Sequence, residues 1–187
     1  GEIAENQKEL SRILKKTGYP VALKIVSPDI VHKTERGAVK LGIRNAGEAD
    51  KFWQHVAANK DLRLEGILVQ PMIKGREVII GLKQDPTFGP IVLFGLGGVF
   101  TELLKDVAMR VAPVDKKTAR QMIGEIKGHK ILEGFRGNRP VNLAALEKII
   151  VAVSKLAIGR PEIKEIDLNP VMVNEKGAFI VDARFLR

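Results

Sequence analysis

The stretch from Leu23 to Gly42, LKIVSPDIVHKTERGAVKLG, constrains the fold more than any other. Two short apolar runs, Val21–Val26 and Ala38–Ile43, read as strands. Between them lies a polar loop too irregular for a helix, holding Pro28, His32, Lys33, Arg36 and Gly37. A lysine, Lys24, sits inside the first apolar run. A strand rarely carries a lysine there unless its ammonium group has a use. A cationic floor under a glycine-containing basic loop suits a polyphosphate: backbone N–H groups cradle the oxygens and the cations neutralise them. The other reading is an ordinary hairpin with an edge lysine and a solvated loop, and this stretch alone leaves both open. His32 carries two readings as well. Its cationic neighbours Lys33 and Arg36 favour the neutral, nucleophilic imidazole, or it is simply a loop histidine at the surface.

The remaining composition narrows the ligand. A chain of 187 residues, 45% apolar and 28% charged, buries a real core as one domain or two small lobes. No run of about 18 apolar residues occurs, so no membrane span is expected. The first ten residues, GEIAENQKEL, lack an apolar secretory segment. With no cysteine, disulfides and thiolate chemistry are excluded, and a cytoplasmic location fits. The net charge of +9 points to an anionic partner. The basic residues are spread along the chain and aromatics are only 5%, too sparse for a base-stacking surface. A small anionic ligand is therefore expected in preference to nucleic acid.

Apolar periodicity organises the rest. Ile3, Leu10, Ile13 and Leu14 predict a helix over Ile3–Lys16, ending at Gly18. A second helix is expected near Glu48–Ala58, with Phe52, Trp53 and Val56 available for burial. Strands follow at Ile67–Val69, Glu77–Lys83, Ile91–Phe94 and Val107–Val111. Asp115 is a plausible N-cap for a helix through Ile123, and residues 124–140 are the most loop-like region. Leu143, Leu146, Ile149, Ile150, Val153 and Leu156 form the clearest helical stripe. Two last strands, Glu165–Val173 and Ala178–Ala183, flank a turn at Asn174–Gly177. Strands and helices mix without strict alternation, which predicts α+β architecture with largely antiparallel sheets.

Three further constellations carry possible chemistry. Glu165, Asp167 and Asn169 share one face of a strand by its period of two, and Asp182 is expected opposite them across the hairpin. An oxygen-only row without His or Cys suits Mg²⁺, with phosphate and water completing the shell; a solvent-facing polar edge is the plainer reading. In Gln70-Pro71-Met72 a proline is expected to stop ladder pairing and free backbone groups for an adenine edge, with Leu68 and Met72 lining an apolar slot. A simple strand end serves equally well. Glu77 opens the next strand and would face the same region, unless it is a surface glutamate. Gly97-Gly98 is a weak candidate for a phosphate turn, because Glu102 opposes an anion.

Together these segments resemble an ATP-grasp domain, and most of all the nucleotide-binding β subunit of ADP-forming acetyl-CoA or acyl-CoA synthetases, relatives of succinyl-CoA synthetase. The resemblance rests on GYPVALKIVSPDIVHKTERGAVKLG, on EGILVQPMIKGREVIIGLKQDPTFGPIVLFGLGGVFTELLKDVAMRVAP, on EIKGHKILEGFRG and on EIDLNPV with VDAR, and covers nearly all the chain from Gly18 onward. It implies one ATP-grasp domain over residues 1–187, with a small nucleotide-binding lobe at 1–67, a larger metal-binding lobe at 68–187 and the nucleotide cleft between them. It implies that Lys24 contacts ATP phosphates and that the loop ending in Arg36, Gly37 and Ala38 closes over them. Val69, Gln70 and Met72 would form the adenine hinge, with Glu77 in the nucleotide site. Asn169 and Asp182 would bind Mg²⁺, with Asp167 standing where relatives often carry glutamate. His32 matches the loop histidine that relays the phosphoryl group.

The reaction implied is acyl-CoA + ADP + phosphate ⇌ carboxylic acid + CoA + ATP, run with a separate CoA-binding α subunit or a fused α-like domain, hence in a hetero-oligomer. The family has a further strand-and-helix segment before the position of Ile3, so the N-terminal part of the fold is expected to be truncated. The family's second loop glycine is Ala38 here. The alternative is a regulatory ATP-grasp-like module of a fused protein acetyltransferase. Retention of Lys24, His32, Asn169 and Asp182 favours the enzyme.

Overall fold

The structure, a computed structural model, describes residues 1–29, 38–59, 62–98, 106–134 and 139–187. His32, Arg36 and Gly37 of the expected phosphate loop, with Glu102, lie outside them. The chain forms two compact units, Gly1–Met72 and Ile73–Arg187.

The first unit is a four-stranded sheet of β1 (Glu2–Ala4), β2 (Val21–Val26), β3 (Val39–Ile43) and β4 (Gly66–Pro71), in the order β1-β4-β2-β3 with every pairing antiparallel. Two helices, α1 (Gln7–Thr17) and α2 (Ala46–Ala57), back it. Both begin on an asparagine whose side chain accepts an otherwise unpaired backbone N–H: Asn6 from Glu9 N at 2.9 Å, and Asn45 from Glu48 N at 3.0 Å. The first cap corrects the sequence expectation. The helix cannot begin at Ile3, because residues 2–4 pair with Ile67–Val69 and Asn6 fixes the start. Gly18 at φ 75° ends α1, its N–H on Leu14 O at 2.9 Å. Leu10, Ile13, Leu14, Phe52 and Val56 bury against Val21, Leu23, Ile25, Ile67 and Val69. Each fully buried aliphatic side chain stabilises this core by about 1.5–3 kcal/mol.

The second unit runs β5 (Arg76–Asp85), β6 (Gly89–Leu96), β7 (Val107–Val111), α3 (Lys116–Glu125), a 3-10 turn (Lys127–Ile131), α4 (Leu143–Gly159), β8 (Glu165–Asn174), β9 (Gly177–Ile180) and β10 (Arg184–Leu186). Its sheet is ordered β10-β8-β5-β6-β7, with β9 also on β8, again antiparallel throughout. The last expected strand, residues 178–183, ends at Ile180 in β9, and the chain rejoins β8 only at Arg184, as the separate strand β10. Val78, Ile80 and Leu82 of β5 alternate into a core with Phe94 and with Leu146, Ile150, Val153 and Ala157 of α4. That leaves Glu77, Ile79, Gly81 and Lys83 on the opposite face. Asp115 caps α3 as expected, accepting from Thr118 N at 2.7 Å. The stretch expected to be loop holds the 3-10 turn, whose first two N–H groups donate to buried Asp106 at 2.7 and 2.8 Å. The expected division after residue 67 falls inside β4, whose residues to Pro71 pair with β2 and so belong to the first sheet.

Among the described residues no helix is long and apolar enough to cross a membrane.

Candidate functional site

Alternation along β2 sends Val21, Leu23 and Ile25 into the helix-backed core and Lys24 to the other face. There Lys24 is only 7% exposed, and it pairs with Val39 on one side and Leu68 on the other. Gln70 shares this face, diagonal to Lys24 and opposite Ala22, and its Oε1 is buried without a hydrogen-bond partner. The orphaned acceptor of Gln70 is costly to bury, and with a nearly buried cation beside it, on the face of this unit that its two helices leave uncovered, it suits a polar ligand. The face is also lined by Leu68, as expected.

Two of the expected contacts change character. Val69 is 1% exposed and part of the helix-backed core, so any hinge contact from it must come from its backbone. Ala38 is likewise fully buried, and its carbonyl already accepts Ile25 N at 2.9 Å. Proline does not stop the ladder where expected: Pro71 still faces Val21, and Met72 N donates to Pro20 O at 3.1 Å. A proline lacks only a donor, so its carbonyl side can stay paired. On the other side the β1 pairing ends at Glu2 with Val69, one residue before Gln70. Met72 is 37% exposed.

In the second unit, Ile166 and Leu168 point into the core and leave Glu165 and Asp167 on the face that also carries Glu77. The β5–β8 register shifts between Val78 with Val171 and Ile80 with Leu168, so Asn169 and Pro170 together oppose the single residue Ile79. This bulge carries Asn169 outward at the end of the acidic row. Asp182 comes to the same place. Val181 N donates to Pro170 O at 3.2 Å and Arg184 pairs with Asp167, so Asp182 and Ala183 between them run past Asn169 and Leu168.

The row is electrostatically crowded. Burial first, and then the charges of Glu165 and Asp182, hold the Asp167 carboxyl above the usual range, with Arg184 partly opposing them. A divalent cation among these oxygens relieves that repulsion, so the donor set fits Mg²⁺. Among the described residues no three His, Cys, Asp or Glu side chains gather as a complete cage. A shell finished by phosphate and water is the form Mg²⁺ prefers.

The glycine pair has a different reason from a phosphate turn. A Cβ at Gly97 would lie 2.8 Å from Cβ of Glu77, and Gly97 N donates to Glu77 O at 2.7 Å. Gly97 is therefore small because Glu77 passes over it. Sequence reading passed over Asp106 and Glu147. The signal for Asp106 was an acid directly before an apolar strand. Glu147, fully buried in α4, pairs with Arg120 at 2.7 Å, which ties α3 to α4.

Two antiparallel, helix-backed units with these faces define the class. The chain belongs to the ATP-grasp family, whose domain model matches residues 1–186. Within that family its relatives include ADP-forming acetate–CoA ligases, and the chain is a component of an ADP-forming ligase of this kind. It is 48% identical over 191 residues to the β subunit of acetate–CoA ligase [ADP-forming] I of Pyrococcus furiosus, covering 99% of this chain and 82% of that subunit. It is 45% identical to acetate–CoA ligase [ADP-forming] I of Archaeoglobus fulgidus, covering 98% of this chain and 28% of that protein. The fold superposes on acetyl-coenzyme A synthetase 1 of Ca. Korarchaeum cryptofilum with a TM-score of 0.91 at 43% identity, over 99% of this chain and 83% of that one. Another structure of that synthetase, with a TM-score of 0.86 at 41% identity over the same shares, holds coenzyme A and Mg-AMPPCP with its phosphohistidine segment pointing towards the nucleotide site. These relatives are ligases, which gives the regulatory acetyltransferase alternative no support.

Proposed function

We propose that this chain binds ADP and ATP with Mg²⁺ and carries the phosphoryl-transfer half of the reaction acyl-CoA + ADP + phosphate ⇌ carboxylic acid + CoA + ATP. The observation that carries the reading is Lys24, nearly buried on the helix-free face of β2 beside the orphaned Oε1 of Gln70. Lys24, with Arg36, Gly37 and Ala38, takes the phosphates. Val69 through its backbone, Gln70 and Met72 take the base, and Glu77 contributes to the nucleotide site. The unit Gly1–Met72 is the nucleotide-binding lobe and the unit Ile73–Arg187 the metal-binding lobe of one ATP-grasp domain.

Asn169 and Asp182, with Asp167, would hold Mg²⁺, which supplies charge neutralisation on the phosphates. His32 accepts and passes on the phosphoryl group: imidazole is nucleophilic near neutral pH, and positioning supplies most of the catalysis in phosphoryl transfer. A CoA-binding α subunit or fused α-like region completes the reaction and selects the acyl group, so the chain alone is inactive in the overall reaction. The absence of cysteine suits work in the cytoplasm.

Calorimetry with ADP and ATP, with and without Mg²⁺, tests the reading. Mg²⁺-dependent binding is expected. Equal affinity in both conditions, or no binding to the folded chain, overturns it.

A further inference from the structure

The helical layer of the second unit is incomplete. α4 packs over β5 and β6 and reaches β8 and β9, and past its outer side, among the described residues, no second helix covers the apolar side chains of the edge strands β9 and β10. Ile166 and Leu168 of β8, Ile180 of β9 and Phe185 of β10 form the floor of a groove of 230 Å³, and Ile149 and Leu156 of α4 form its wall. The side chains at its mouth are unusually open for their size: Leu156 is 39% exposed, Ile180 45% and Phe185 51%. Open apolar side chains grouped around one groove can seat a partner's apolar stripe. It lies on the opposite face of the sheet from Glu165, Asp167 and Asn169, and so is separate from the proposed metal row.

The rim says what covers it. Lys148 lines the groove, and Lys155 stands seven residues on along α4, past Ala152, in the shallow pocket beside it, whereas Lys116 of α3 is paired with Glu147 at 3.8 Å. Two copies of this chain meeting through the patch would bring these lysines together, which disfavours a symmetric self-dimer. The groove runs beside a helix and over a sheet, the place where a further helix would complete the layer. We propose that it receives an amphipathic helix of the CoA-binding subunit or region, its apolar stripe on Leu156, Ile180 and Phe185 and its carboxylates opposite Lys148 and Lys155. This rests on the reading of the chain as one component of a larger ligase.

The test uses this chain and the CoA-binding subunit, purified separately and mixed. Hydrogen exchange should slow in residues 149–157, at Ile180 and in β10 when the complex forms. Leu156→Glu should weaken the complex at least about tenfold. The pair Lys148→Glu and Lys155→Glu should weaken it too and flatten its salt dependence. ADP affinity should be unchanged in both. Leu156 is partly exposed, so the glutamate need not be buried; if that variant still fails to fold, the lysine pair decides. A complex of undiminished affinity with the variants overturns the surface and leaves the subunit reading intact. No complex with the unaltered chain overturns both. Dimerisation of the chain alone, abolished by Leu156→Glu, makes the occupant a second copy and overturns the proposal.

Discussion

Both units spend one sheet face on a helix-backed core and keep chemistry on the other, but they pay for the chemistry differently. In the first unit a single cation, Lys24, is nearly buried in a central strand, with Val39 and Leu68 beside it. In the second, several acids line up near the sheet edge, where the Asn169-Pro170 bulge and the short β10 leave them partly open to water. Desolvating one lysine makes its attraction for an anion strong, because little water competes. Gathering carboxylates makes each repel the next until a cation arrives, as the raised Asp167 carboxyl reports. The first arrangement suits a phosphate and the second a hydrated divalent ion.

The largest effect is expected from a residue in neither set. His32→Ala should abolish ATP formation from acyl-CoA, ADP and phosphate with the CoA-binding partner present, while ADP binding and the partner's own acyl phosphate formation survive. In the proposed reaction the CoA and nucleotide sites belong to different subunits or regions, and a histidine relay would carry the phosphoryl group from one to the other. Undiminished ATP formation by the variant would show that the Lys24 face and the acidic row suffice without a relay.

Lys24→Met tests the first unit. Methionine keeps the length and removes the charge. Loss of a charge-assisted contact should cost about 1.5–3 kcal/mol of nucleotide affinity, roughly 10- to 150-fold. The chain should still fold, because methionine keeps the aliphatic packing of the strand position between Val39 and Leu68. An unchanged affinity would return Lys24 to a packing role.

The two units also differ in how well sequence discloses them. Val21–Val26 and Val107–Val111 were legible to the residue, because each is a bounded apolar run. The Asp115 cap was legible because its mechanism is local. The first helix was misplaced by four residues, since Ile3 fits a helical stripe as well as it fits β1, and only the pairing with β4 decides. In the candidate site, Lys24 stood out as a charge in an apolar strand. That Val69 faces the core while Gln70 faces Lys24 depends on the β2–β4 register, which no single strand reveals. The bulge that turns Asn169 outward was hidden for the same reason.

Asp182→Asn examines the acidic row. It keeps the size and one oxygen donor and removes a charge, so Mg²⁺-dependent nucleotide affinity should fall roughly tenfold, with affinity in the absence of Mg²⁺ little changed. The same change removes one of the charges that raise the Asp167 carboxyl, so folding should be unharmed. If the variant unfolds, Asp182 is structural and the contrast between the units loses its metal side.

The smallest expected effect separates base from phosphate recognition within the first unit. Gln70 lies one strand over and two residues along from Lys24, about 7–8 Å away. A phosphate held at the end of the lysine side chain leaves room for the base near Gln70. Its orphaned Oε1 is an acceptor, which the amino group of adenine satisfies and the carbonyl oxygen of guanine does not. Gln70→Leu removes that acceptor while keeping the volume. A neutral hydrogen bond contributes about 0.5–1.5 kcal/mol, so ADP affinity should fall only about two- to tenfold. GDP affinity should hold or improve, because the leucine no longer sets one acceptor against another. The readout is the ratio of the two affinities by competition calorimetry, which a general loss of folding would leave unmoved. An unaltered ratio would mean that the orphaned oxygen faces water when the nucleotide is bound and that the backbone of Val69 and Gln70 reads the base alone.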